Sequence, residues 1–179
     1  MNIEEYRKWL EKHGNIEEQK AYEVAKEIIK YHSSGSWSET EAELFPRKVL
    51  AREKEKVEFD LLIKLTFKGE RRTTERLIGV EFKEYDTKKV IHQAIIRRDF
   101  VDYQYIATRF VMLDYSDLFL LAHYGIGWVV WDDNFVKLLV PAKWSMPTTD
   151  LHYIVRELIR DTVKEIVKYE LTTLDRYLK

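Results

Sequence analysis

Two strand-like segments joined by a short charged stretch restrict the fold of this chain more than any other feature. Residues 57–67 (VEFDLLIKLTF) and 76–83 (RLIGVEFK) alternate apolar and polar side chains over much of their length. Between them, KGERRTTE places a glycine among charged residues, which is typical of the turn of a β-hairpin. The sequence therefore predicts an antiparallel hairpin in the middle of the chain.

Helices and further strands surround this hairpin, and their order predicts the fold class. Helical periodicity covers residues 3–12, 16–32, 88–103, 116–124 and 150–179, and strand patterns lie within 42–52 and at 103–108, 127–133 and 135–142. Helices, a strand meander and then alternating helices and strands indicate an α/β protein with a central mixed β-sheet flanked by α-helices. The amphipathic helix at 150–179 is expected to pack on the core or to mediate a homodimer.

Size and composition narrow the function classes. The 179 residues suit a single domain (1–179) with its core at about 16–142. The absence of cysteine excludes disulfides, thiolate catalysis and cysteine-ligated zinc. No apolar run is long enough to span a bilayer and no signal peptide is visible, so we expect a cytoplasmic, intracellular protein without a membrane partner. With a net charge of −1, any affinity for nucleic acid must come from a local basic patch.

Strand alternation predicts where the charged residues of the hairpin lie. Side chains of a strand point alternately to its two faces, so Glu81 and Lys83 share one face while Val80 and Phe82 share the other. The first strand has an apolar face of Phe59, Leu61, Ile63 and Leu65 and an opposite face of Glu58, Asp60, Leu62 and Lys64. Pairing through the turn brings Asp60 and Glu81 together on one polar face.

Two neighbouring carboxylates repel each other unless a positive charge lies between them. A hard divalent cation with oxygen ligands is the simplest such charge. Lys83 then stands beside the cation, where it can meet a phosphate or an attacking water. The alternative is that Asp60 and Glu81 are ordinary charges on a solvated face of the sheet.

The spacing of these residues resembles a known signature. Asp60, followed after twenty residues by Glu81-Phe82-Lys83, resembles the D-x(n)-E-x-K motif of the PD-(D/E)xK nuclease superfamily, and the strand–hairpin–strand–helix–strand order is similar to the core of that family. Phe59 stands where the family usually has a proline. The resemblance implies a restriction-endonuclease-like fold and a Mg²⁺- or Mn²⁺-dependent nuclease acting on DNA. It further implies that Asp60, Glu81 and the Phe82 carbonyl bind the cation and that Lys83 orients or activates the water.

The resemblance also implies a glutamate on the first core helix and a polar residue on the helix after the motif. A buried stripe of Ala21, Val24, Ala25, Ile28 and Ile29 places two glutamates at its edges. We favour Glu18 as the additional metal ligand, with Glu17 close behind, and expect Glu23 and Glu27 in solvent. Gln93 fits the second role. Each has an ordinary alternative, a helix N-terminal acid for Glu18 and a solvent-facing amide for Gln93.

Basic residues near the predicted site are candidates for holding a nucleic-acid backbone without reading its sequence. They are Arg71 and Arg72 in the hairpin turn and Lys88, Arg97 and Arg98 on the following helix. A solvated helix face is the alternative interpretation of the second group. RNA remains an alternative substrate, and a non-catalytic nucleic-acid-binding or assembly subunit of the same fold remains an alternative function.

Overall fold

The computed structural model describes residues 1–35, 39–52, 55–69, 73–110 and 112–145, and the structural statements below refer to this part of the chain. Its helices are α1 (Ile3–His13), α2 (Ala21–Ser33), α3 (Thr87–Arg97) and α4 (Tyr115–Tyr124), with short 3₁₀ helices at Ile16–Glu18 and Arg98–Phe100. All of it belongs to one compact unit, Met1–Pro147. The helix predicted at 150–179, with its expected dimer contact, lies outside the described residues, as do Arg71 and Arg72.

Six strands form one mixed sheet whose spatial order follows the chain. They are β1 (Glu39–Arg52), β2 (Glu55–Lys68), β3 (Thr73–Lys83), β4 (Tyr103–Arg109), β5 (Gly127–Asp132) and β6 (Phe135–Val140). β1, β2 and β3 are an antiparallel meander, so the hairpin prediction is confirmed. β4 and β5 continue parallel to β3 after α3 and α4, and β6 returns antiparallel. The predicted α/β class with a helix-flanked mixed sheet is therefore confirmed.

Each face of the sheet is covered by a pair of helices. Buried residues of α1 and α2, including Tyr6 and Ile28, pack with Val80 and Phe82 of β3. On the other side, buried residues of α3 and α4 pack with the alternate residues of β4 and β5, such as Ile106. Both faces of the parallel strands are covered, so β4 and β5 are buried over nearly their whole length. No helix in the described part is long and apolar enough to cross a bilayer.

Two predicted helices are shorter than their periodicity indicated. The helix predicted at 16–32 is divided, because the Asn15 side chain caps a separate 3₁₀ helix at Glu17 and Glu18 and Lys20 leaves the helical conformation before α2 begins. The helix predicted at 88–103 ends at Arg97. Beyond it the chain turns inward, and Phe100 and Val101 join a core cluster under β2.

The prediction that Phe59 lies on the same face of β2 as Leu61 is wrong. Phe59 packs with Leu62, on the opposite side from the cluster that contains Leu61. Alternation fails because the β1–β2 ladder skips one residue on each strand, Arg47 and Asp60, and Arg47 has a positive φ of 49°. The Phe59 ring lies so close to Gly79 that any β-carbon there would collide with it. This irregularity determines where Asp60 lies.

Candidate active site

Asp60 and Glu81 meet where β2 separates from β3. The paired register ends at Leu61 and Val80, so Asp60 and Glu81 are the next residues on the two strands. Asp60 does not continue the ladder through its main chain. Instead, its Oδ2 accepts a hydrogen bond of 2.8 Å from the backbone amide of Phe82. The side chain of Asp60 is thereby anchored against the main chain of the Glu81–Lys83 segment.

Glu81 is a fully buried carboxylate, with 0% of its surface exposed. Its Oε2 contacts the Arg97 guanidinium, while its Oε1 has no hydrogen-bond partner among the described residues. Burial raises the pKa of Glu81 to about 9, and the charge of Asp60 and a hydrogen bond with it act in the same direction. Asp60 and Glu81 are therefore electrostatically coupled neighbours.

The ion pair with Arg97 would by itself lower the pKa of Glu81, yet this pKa is raised. Arg97 and Lys83 favour the ionised carboxylate, but burial together with Asp60 outweighs them, so the pKa is raised. Burial also raises the pKa of Asp60, against the amide of Phe82 and the charge of Arg97. Without a cation, burial therefore disfavours the ionised form of both carboxyl groups.

Lys83, the last residue of β3, borders this pair. Its side chain is only 15% exposed, and its Nζ forms an ion pair with Glu17 of the first 3₁₀ helix. The charges of both residues act on Asp60. The structure thus places Asp60, Glu81 and Lys83 close together, with Glu17 as a fourth charged group.

Glu18, the favoured helical ligand, is placed differently from Glu17. Its carboxylate is 3% exposed and accepts hydrogen bonds from the Asn15 amide at 3.0 Å and from Arg47 at 3.2 Å. These bonds complete a capping box on the first 3₁₀ helix. The helical phase used for the prediction assumed one continuous helix, whereas the break before α2 changes the direction of both glutamates. Glu23 is exposed and Glu27 is half-buried.

The predicted residues of α3 have unequal positions. Arg97 reaches the site through Glu81, and Gln93 is half-buried one turn earlier on the same face of the helix. Lys88 is exposed at the beginning of α3. Arg98 is half-buried, and its guanidinium lies 3.9 Å from Asp99. Only Arg97 of the three basic residues is seen in contact with the proposed metal ligands.

Sequence reasoning missed two groups near the site. Arg97 was assigned to nucleic-acid binding rather than to Glu81, because strand alternation says nothing about a helix sixteen residues away. Tyr6 of α1 was not selected, since a tyrosine in an apolar stripe has no distinguishing pattern. Its buried hydroxyl has no hydrogen-bond partner among the described residues, and burial together with Glu18 and Asp60 raises its pKa.

The donor set suits a hard divalent cation. Carboxylate oxygens are the ligands that Mg²⁺ prefers, and the unpartnered Oε1 of Glu81 is available beside Asp60. In an extended strand the carbonyl and amide of one residue point to the same side, so the Phe82 carbonyl lies on the side of Asp60. Within the described ranges, however, no three His, Asp or Glu side chains already form a ligand cluster. Glu81 has to leave its contact with Arg97 if it is to use both oxygens.

Comparisons of this chain with protein-family models, with curated proteins and with solved structures gave no match.

Proposed function

We propose that this protein is a metal-dependent nuclease that hydrolyses phosphodiester bonds in DNA. The observation that carries the proposal is the approach of Asp60 to Glu81, with Lys83 at the border and with one buried Glu81 oxygen that has no hydrogen-bond partner among the described residues. A buried and a half-buried carboxylate, both with raised pKa and beside a lysine, are typical of a functional site rather than of a solvated sheet face. The contact therefore favours catalysis over the binding-subunit alternative.

The topology supports a restriction-endonuclease-like core. The order β1, β2, β3, α3 and β4 agrees with the strand–hairpin–strand–helix–strand order that the PD-(D/E)xK resemblance implies. In this proposal the motif residues come from the end of β3 and from the facing position on β2. A rigid sheet holds both carboxylates more precisely than loops would.

Asp60, Glu81 and the Phe82 carbonyl would hold Mg²⁺ or Mn²⁺. When bound, such a cation polarises a phosphodiester and lowers the pKa of water. The Phe82 amide holds Asp60 in position through its 2.8 Å bond. Glu17, rather than Glu18, is the glutamate of the first 3₁₀ helix that reaches the site, and in this proposal it positions Lys83 instead of binding the cation, because its carboxylate contacts the Lys83 ammonium while that of Glu18 is bonded to Asn15 and Arg47.

Lys83 has two tasks in the proposed hydrolysis. Its ammonium orients the attacking water, and its positive charge offsets the negative charge that develops on the phosphoryl oxygens. Glu17 keeps the ammonium close to Asp60 and restricts its rotamers. Gln93 lies on the face of α3 that carries Arg97, and it would contact the ligands around the cation or the phosphate backbone of the nucleic acid.

A cleavage assay tests the proposal. The protein is incubated with single-stranded, duplex, flapped and branched DNA and with matching RNA, in Mg²⁺, Mn²⁺ or EDTA. We expect cleavage of DNA with either cation, and none in EDTA or in the Asp60→Asn variant. Preferential cleavage of RNA would reassign the substrate. Binding of nucleic acid without cleavage in any cation would support the non-catalytic alternative.

A further inference from the structure

Arg97 would compete with a divalent cation for the Glu81 carboxylate in the proposed metal site. Its side chain is 17% exposed, and its guanidinium contacts Oε2 of the fully buried Glu81. A buried carboxylate without a positive neighbour is costly, so this contact stabilises Glu81 when no cation is present. The same oxygen is one that a divalent cation would take.

Counting the charges of the site shows what a cation would change. Asp60, Glu81 and Glu17 supply three negative charges, and Lys83 and Arg97 supply two positive ones. The fully ionised site therefore has one net negative charge. A bound divalent cation turns this into one net positive charge, which equals the charge needed to neutralise one phosphodiester.

Arg97 differs from the neighbouring basic residues in its partner. Lys83 is held by Glu17 and Arg47 by Glu18, while Arg109 is held by Glu84 and by two acids at the end of β5. Among the described residues, the carboxylate that Arg97 contacts is itself a proposed metal ligand. Cation binding would therefore release Arg97 from its partner and leave the other pairs unchanged.

The position of Arg97 permits a change of partner. It is the last residue of α3, before the 3₁₀ helix, and its long side chain enters the site from the helix end. The planar guanidinium matches two phosphate oxygens at once, which an ammonium cannot do. Resting on the proposed function, we propose that Arg97 holds Glu81 in the metal-free protein and moves to the scissile phosphate when the carboxylates bind the cation.

The test compares the full-length wild type with Arg97→Gln. Mn²⁺ affinity is measured by titration calorimetry without nucleic acid, and cleavage is measured at saturating Mn²⁺. Because the competing charge is gone, Arg97→Gln should bind Mn²⁺ roughly 10-fold tighter. It should cleave about 10²–10³-fold more slowly, the loss typical of removing one transition-state donor.

Arg76→Gln is the matched control. Arg76 lies on β3, and its guanidinium bonds only a main-chain oxygen, that of Glu75 at 3.2 Å, among the described residues. The same loss of one positive charge should leave Mn²⁺ affinity within about 2-fold, since Arg76 lies roughly 16 Å along β3 from Glu81, beyond the Debye length of about 8–10 Å. A purely structural role for Arg97 would weaken Mn²⁺ binding and cleavage together.

Two results would overturn the inference: weaker or unchanged Mn²⁺ binding by Arg97→Gln, or cleavage at the wild-type rate. If Arg97→Gln does not fold, Arg97→Lys tests the inference instead, because lysine keeps the positive charge but lacks the two parallel N–H donors of the guanidinium. It should bind Mn²⁺ like the wild type and cleave more slowly, and wild-type cleavage would contradict the proposal. A wild type that cuts nothing would defeat the proposed function, whereas the Mn²⁺ titration would still decide whether Arg97 competes for Glu81.

Discussion

The two ends of the β2–β3 hairpin carry the same types of charged residue in very different surroundings. Near the turn, Lys64 pairs with Glu43 at 3.6 Å and with Glu75 at 2.8 Å. At the opposite end, Lys83 and Arg97 pair with Glu17 and Glu81. Glu75 is 59% exposed, whereas Glu81 is completely buried. Strand alternation places charged residues at both ends.

Burial makes the difference between these ends. Around Lys64, water screens the charges, and exposed ion pairs contribute little to stability. Around Glu81, loss of water raises the carboxyl pKa and makes every remaining charge act more strongly. Charged residues on a strand therefore become candidates for catalysis only where helices remove the solvent around them.

The largest expected effect contrasts the two hairpin lysines. Lys83→Ala should lower the cleavage rate by at least about 10²-fold, because a positioned donor is lost, while Mn²⁺ affinity persists. Lys64→Ala should cleave like the wild type. Asp60→Asn should lose cleavage and weaken Mn²⁺ binding by at least about 100-fold, since it replaces a negatively charged ligand with a neutral amide. Cleavage rates and calorimetric titrations check all three, and normal cleavage by Lys83→Ala would refute the role of this lysine.

The next prediction contrasts the two glutamates of β3 through pH. The pKa of Glu81 is raised from 4.5 to about 9 in the folded, metal-free protein, so the folded state binds the proton more tightly than the unfolded state. Its contribution to stability is present below about pH 4.5 and is lost as pH rises through about 9. Urea unfolding of Glu81→Gln should show a flatter decline over this range than the wild type.

Glu75→Gln serves as the exposed control for the urea experiment and should follow the wild-type pH profile.

Cation binding should release a proton from the carboxyl pair of Asp60 and Glu81, because metal ligands must be deprotonated. Calorimetry in buffers of different ionisation enthalpy measures this release. Parallel pH profiles for wild type and Glu81→Gln would show that the buried end does not titrate as described.

A smaller effect is expected from the contrast between the buried Glu18 and the half-buried Glu17 within one turn. Glu18→Ala should lower the free energy of unfolding by about 1–2 kcal/mol, because it removes a buried cap and leaves Arg47 without its carboxylate. Glu17→Ala should change stability less and reduce cleavage more, because Glu17 positions Lys83. Equal cleavage by these two variants, measured with urea unfolding as the stability control, would contradict the assignment.

The smallest effect is expected at the exposed end. Lys64→Ala should leave the urea midpoint of unfolding unchanged within experimental error at 0.15 M ionic strength (Debye length about 8 Å), since its partners remain solvated. A clear shift of the midpoint would show that exposed ion pairs also stabilise this sheet, and it would contradict the difference drawn between the exposed and buried ends of the hairpin.

Much of the architecture was predictable because alternation and helical periodicity report burial directly. The hairpin follows from residues 57–83, and the mixed sheet follows from the order of helices and strands along the chain. Helix phase was less predictable. Asn15 starts a separate 3₁₀ helix, so the glutamate that reaches Lys83 is Glu17 and not Glu18. The face of Phe59 depended on a ladder irregularity at Arg47 that has no signal in the sequence.

The sequence by itself determined which residue types lie on each strand, because side chains of a strand alternate between its faces. It thereby determined that Asp60, Glu81 and Lys83 are candidates for one site. Only the tertiary structure decided which charges neutralise them. Arg97 comes from a helix packed on the sheet, and Glu17 comes from a 3₁₀ helix whose direction depends on its cap. Such pairing depends on the packing of distant segments, which local periodicity does not encode.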